Sequence, residues 1–165
     1  MAELTTNINY LQPTGFAVSI SKENYPNLQY FAQSISHPSV SVSEVDTPYQ
    51  RRNVPIIGDK IVFDEVNFTF MVDEDMKSYE EMFAWLNRIV NDEYKTAAGT
   101  IITGIGSEAD ITVTILSSHN NANKQIRYIN AFPVSITGIE FTALSGDVAP
   151  LTFSAGFRYS YFELL

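Results

Sequence analysis

With 165 residues, 45% apolar and 18% charged, the chain can build one folded core but hardly two, and its composition is far from that of a disordered segment. Lys+Arg total 10 against Asp+Glu 19, a formal net charge of −9, so the field of the whole molecule repels phosphate and disfavours tight nucleic-acid binding. Cysteine is absent, which excludes disulfides, thiolate metal sites and cysteine nucleophiles.

Met1–Tyr10 (MAELTTNINY) has neither the basic start nor the apolar stretch of a signal peptide. No apolar run approaches the roughly 20 residues of a membrane helix, so a protein made and kept in the cytoplasm is expected. Residues 1–165 read as one domain, with 1–12 as an N-terminal arm. Phe16-Ala-Val-Ser-Ile then sets Phe16, Val18 and Ile20 on one face of a strand and Ala17 and Ser19 on the other. Asn24-Tyr-Pro-Asn and Ser36-His-Pro-Ser are turns. Residues 40–57 (VSVSEVDTPYQRRNVPII) mix short alternation with Pro48, Pro55 and the charges of Arg51 and Arg52, the pattern of a protruding loop or hairpin arm. So little local core lies in it that a covering neighbour is the simplest source of its order.

Val66-Asn-Phe-Thr-Phe-Met-Val is a core strand through Phe68 and Phe70. Between residues 76 and 94, Tyr79, Met82, Phe83, Leu86, Ile89 and Val90 recur at three- and four-residue spacing and predict one amphipathic helix, with Trp85 beside its apolar stripe, anchoring it on a sheet. Gly104-Ile-Gly-Ser is a turn ahead of Ile111-Thr-Val-Thr-Ile, which alternates cleanly. The Asn-rich turn after His119 leads to Ile126-Arg-Tyr-Ile-Asn-Ala-Phe, and Ile139-Glu-Phe-Thr-Ala predicts a further strand behind a bulge at Gly138. From Leu151, Phe153, Ala155, Phe157, Tyr159 and Tyr161 share one face of a last strand. The fold class expected from these runs is mainly β with one helix.

Candidates for chemistry are few. His37 and His119 both sit in turns and belong to no metal or nucleophile motif. Asp73, Glu74 and Asp75 precede the helix, where carboxylates meet orphan N–H groups and the positive end of the dipole; a metal site is the sharper and less favoured reading. Gly104-Ile-Gly-Ser-Glu lacks the third glycine and the following helix of a dinucleotide loop, and Asn67-Phe-Thr lies inside a core strand, where a glycosylation signal has no meaning. No acid pair stands out as a partly buried catalytic couple. The chain is read as no enzyme, with no cofactor or metal.

The order of features from Phe16 to Phe162 resembles the tail tube protein family of contractile-tailed phages. The resemblance is carried by the early strand, Pro38 leading into the arm, Ile57-Gly-Asp-Lys and Phe63-Asp, the strand Val66–Val72, a helix with Phe83 and Trp85, Ala131-Phe-Pro-Val and the aromatic strand Phe153–Phe162. Residues 58–85 are its most specific block. It implies a small antiparallel β-sandwich or barrel with one flanking helix, a subunit of six-membered rings that stack into a rigid conduit for DNA ejection, with strands of neighbouring subunits joined into a continuous inner barrel. It further implies a sheath protein outside, a tape-measure protein and transiting DNA inside without specific binding, an initiator and a terminator at the two ends, and assembly in a bacterial cytoplasm into a virion tail. The net charge suits a wall that should not grip phosphate.

On this reading the arm contacts an adjacent ring through Val42, Glu44, Val45, Pro48, Tyr49, Arg51, Arg52 and Val54. Glu44, Glu108, Asp110 and Glu140, which lie in or beside alternating runs, are lumen candidates. The alternatives within the class are a tube initiator or tube-like baseplate protein, or the inner tube of an injection machine. Outside it are a β-sandwich binding module and a carboxylate-dependent hydrolase.

Overall fold

A computed structural model describes residues 10–20, 25–90, 106–142 and 150–165. In one sheet β1 (Phe16–Ser19) pairs with β6 (Ala109–Leu116), and β6 with the first half of β7 (Ala122–Ile136), whose other side takes β9 (Tyr161–Leu164). In the other, β2 (Ala32–Ser36) pairs with β5 (Val66–Met71), β5 with β8 (Thr152–Arg158), and β8 with the second half of β7. Every pairing is antiparallel, so the chain is mainly antiparallel β, as its alternating runs predict.

One strand, β7, changes sheets, and the C-terminal run crosses between them at a break; both tie the layers together. In β7 the partner switches from β6 to β8 between Ala131 and Phe132, and Asn130, at φ 53°, turns the backbone there. Asp110 Oδ1 accepts from the Asn130 N–H at 3.1 Å while its Oδ2 accepts from Arg127 Nη2 at 2.7 Å, so one carboxylate holds the corner. The C-terminal run also breaks: β8 ends at Arg158, Ser160 N–H donates to the Ile129 carbonyl at 3.0 Å, and β9 begins on the other sheet. The break turns Tyr161 outward, where the sequence alternation had placed it on the buried face, and brings Phe162 against the core.

Side chains from the facing sheets fill the space between them, among them Val18, Ile111, Val113 and Tyr128 from one and Val66, Phe68, Phe70, Phe153 and Phe157 from the other, all buried. α2 (Lys77–Val90) flanks this core. Asp73 starts it, accepting from Ser78 N–H at 2.9 Å and Lys77 N–H at 3.1 Å, which is the capping role expected of these acids. The buried face of α2 is rotated from the predicted stripe. Ser78, Met82 and Trp85 are buried, whereas Phe83 and Val90 point outward. Trp85 lies at the centre of the contact: its ring stacks on Tyr25 at 4.2 Å, meets Phe157 edge-on at 5.6 Å and donates to the Ser107 carbonyl at 2.8 Å. Residues 91–94 of the predicted helix lie outside the described residues.

Two further expectations are corrected. Pro26–Tyr30, predicted as part of a turn, forms a short helix, α1, because Pro26 sits at its start and Glu81 of α2 accepts from the Asn27 and Leu28 N–H groups at 3.1 Å each. Ile139–Thr142 is not a strand: the sheet's last bonds on that side join Thr137 and Ser154, and beyond Gly138 the chain leaves the ladder.

Candidate assembly surface

β3 (Val40–Tyr49) and β4 (Arg52–Phe63) pair only with each other, as a two-stranded sheet separate from the sandwich. The turn between them is Gln50-Arg51, with Gln50 at φ 57°, and such tight loops fix register by making the residues that flank them opposite partners. The ladder accordingly runs Tyr49 to Arg52, Val45 to Ile56 and Glu44 to Ile57. It then breaks: Val42 pairs with Ile61, so Ser43 faces Gly58, Asp59 and Lys60 in a bulge. Gly58 is required there, because a Cβ would stand 2.3 Å from the Ser43 carbonyl oxygen.

An isolated two-stranded hairpin buries too little to be firmly stable in water, yet this one carries large apolar side chains on its surface. Ile57 is 89% exposed, Ile61 61% and Val45 60%. Large apolar side chains exposed in this number on one element mark a place where protein packs on protein. Among the residues expected to make contacts, Val42, Glu44, Val45, Pro48 and Tyr49 lie on β3, Arg51 in the turn and Arg52 and Val54 on β4, and all are exposed. Ile56, Ile57, Ile61 and Val62 are exposed on the same hairpin, divided between its two faces, and were not among the expected contacts. The signal for them was the tight turn: ten residues of β3 before it demand about as many after it, which carries β4 past Ile57 to Phe63.

The base of the hairpin is pinned to the sandwich. Asp64 N–H donates to the Ser39 carbonyl at 3.2 Å, and the Ser39 hydroxyl donates to the Asp64 carboxylate. Phe63 packs on Tyr159 and Phe162 with ring centroids 5.9 and 5.6 Å apart. His37, just ahead of β3, meets Phe162 edge-on at 5.0 Å and shares a hydrogen bond with the Tyr128 hydroxyl at 2.8 Å. Burial lowers the His37 pKa below the ordinary histidine value and raises that of Tyr128. Among the described residues β1 and β2 are the end strands of the large sheet, so their outer edges offer further pairing groups.

The lumen candidates lie on different parts of the chain. Glu108 and Asp110 stand at the start of β6, Glu140 follows β7, and Glu44 lies on the hairpin. Asp110 is already engaged by Arg127. His119 lies in an exposed turn beside Ser117 and Ser118. No three metal-ligating side chains gather among the described residues.

Residues 3–165 match the family model described as phage tail tube protein. The chain belongs to that family. Over 161 residues it is 26% identical to the tail tube terminator protein of Enterobacteria phage T4, a match covering 94% of this chain and 89% of that one. Its fold is shared with the tube terminating cap of the anti-feeding prophage at TM-score 0.64 and 14% identity, over 99% of this chain and 95% of the other. It is shared equally with a chain of the sheath-tube complex of an extracellular contractile injection system at TM-score 0.62 and 19% identity, over 99% of both. This tail tube family member is thus a tail-tube-like structural component of a phage or of a related contractile injection system.

Proposed function

We propose that this tail tube family member forms six-membered rings that stack into the rigid conduit of a contractile tail, through which DNA is ejected. The observation that carries the reading is the hairpin of β3 and β4: its exposed apolar residues and marginal stability as a free element both ask for a neighbouring subunit. The arm meets neighbouring subunits, in its own ring and in the adjacent one, and the outer edges of β1 and β2, end strands among the described residues, allow strands of neighbouring subunits to join. Sheath protein lies outside, and tape-measure protein and DNA pass inside; Glu108, Asp110 and Glu140 are the lumen candidates that lie off the arm. Glu44, on the arm, fits the contact set better. Assembly takes place in the bacterial cytoplasm. The fold neighbours and the family are structural proteins, and the reading includes no catalytic turnover.

A second reading has its own support. The relative in phage T4 is named a tail tube terminator, and its match spans nearly the whole chain, so this protein would form the one ring that closes the tube instead of every ring along it. Negative-stain images of the purified protein, alone and with preformed tubes, separate the two. Long hollow tubes or many stacked rings support the repeating subunit. Single rings that sit on one tube end and halt growth support the terminator, and a protein that stays monomeric even with tubes and initiator present would overturn both.

A further inference from the structure

Opposed residues of an antiparallel pair lie on one face and successive residues alternate, so the register gives the two faces of the arm directly. Beyond the bulge, one face carries Val45 with Ile56, Thr47 with Val54, and Tyr49 with Arg52. The other carries Glu44 with Ile57, Asp46 with Pro55, and Pro48 with Asn53. Before the bulge the order is reversed: the face continuing from Glu44 and Asp46 is apolar, with Val42 opposite Ile61. The apolar stripe therefore changes sides at Ser43 and Gly58, and the outer half of the arm is a contact unit of its own. One of its faces is apolar with a basic end; the other is acidic, with proline and isoleucine surface between the charges.

From these complementary faces we infer that the arms of neighbouring subunits pair head-to-tail, the Val45, Val54 and Arg52 face of one resting on the Glu44, Asp46 and Pro55 face of the next. The inference rests on the ring reading and names its contact. Like-on-like packing of the acidic faces would set carboxylates together, and a two-fold contact cannot by itself close a ring; a head-to-tail contact uses both faces of every arm and can. An offset of about three residues, roughly 10 Å at ~3.4 Å per residue, brings Arg52 level with Asp46 of the next arm. Arg51 and Arg52 are two of only ten cationic residues in an acidic chain, so the end of the arm is where attraction between copies can be built.

Reversing the charges on one face at a time tests this. Arg51→Glu/Arg52→Glu and Glu44→Arg/Asp46→Arg each lie on exposed positions, so each subunit should keep the wild-type circular dichroism and melting profile, and each alone should lose about tenfold or more of its ring fraction. Mixed in equal amounts, the two should assemble again, because every contact of an alternating ring then joins opposite charges; native mass spectrometry would show both variants in one ring. Rings from wild type with none from the mixture, or normal rings from either variant alone, would overturn the arm pairing and leave the ring reading standing. Absence of rings from wild type even with preformed tubes and initiator added would overturn the ring reading itself. If either double variant misfolds, Arg52→Asp and Asp46→Arg provide the same comparison with one charge on each side.

Discussion

His37 Nδ1 and the Tyr128 hydroxyl share a hydrogen bond of 2.8 Å at the foot of the arm. The pair joins the turn that leads into β3 to the middle of the longest strand of the sandwich, and Phe162 closes over the imidazole edge-on. Burial favours the neutral ring and lowers the pKa from 6.5.

A depressed histidine value gives stability that is complete above the unfolded pKa, about 6.5, and is lost as pH falls through the lower folded value. Thermal melts of the unassembled subunit should therefore show a decline below about pH 6.5 that is smaller in His37→Gln, where nothing titrates at this position. An unchanged slope in the variant would show that other groups set the acid limit.

Trp85→Ala should destabilise the subunit by about 3–5 kcal/mol, since it empties a fully buried site and removes the stack on Tyr25. Trp85→Phe should retain much of the packing and lose mainly the bond to the Ser107 carbonyl, about 1–3 kcal/mol. Urea unfolding followed by circular dichroism gives both numbers. Equal losses would mean that the hydrogen bond dominates the site.

Gly58→Ala places a methyl group against the Ser43 carbonyl and forces the bulge open. The arm adds little to the subunit's own core, so the melting temperature should hardly move while ring formation falls. Sedimentation of the variant beside wild type reads assembly and differential scanning calorimetry reads the fold. A large drop in melting temperature would show that the bulge supports the sandwich as well.

Replacing residues 44–57 by a two-residue hairpin turn should leave the sandwich folded and abolish ring formation, and stacking with it. The core residues all lie outside this segment, and the base contacts of Phe63 and Asp64 are kept. Loss of the subunit fold would show that the arm belongs to the core. Stacked rings from the shortened protein would show that it is dispensable for assembly.

Asp110→Asn removes the charge that Arg127 pairs with and weakens the acceptor that holds the Asn130 corner. About 0.5–1 kcal/mol of stability should be lost, as for an ion pair whose two side chains are both more than a third exposed. If Asp110 lined the bore without a structural task, the same variant would leave urea unfolding unchanged.

Much of this protein was legible because its signals are local. Period-two runs at Phe16–Ile20, Val66–Val72 and Ile111–Ile115 need only a half-buried pleated surface, and the helix around Met82 needs only its own apolar spacing. The acidic charge, the absence of cysteine and the thin local core around Pro48 and Pro55 likewise stand in the chain itself. The tertiary structure decided whatever depends on a distant partner. Ile139–Thr142 alternates like a strand but has no ladder beyond Thr137; the C-terminal run looks continuous but changes sheets at Ser160; α1 exists because Glu81, far along the chain, satisfies its first N–H groups. The arm shows the division most clearly. Its exposed residues could be read from sequence, but which of them share a face was set by the turn at Gln50 and the bulge at Gly58, since in a strand a change of register decides which side every side chain takes.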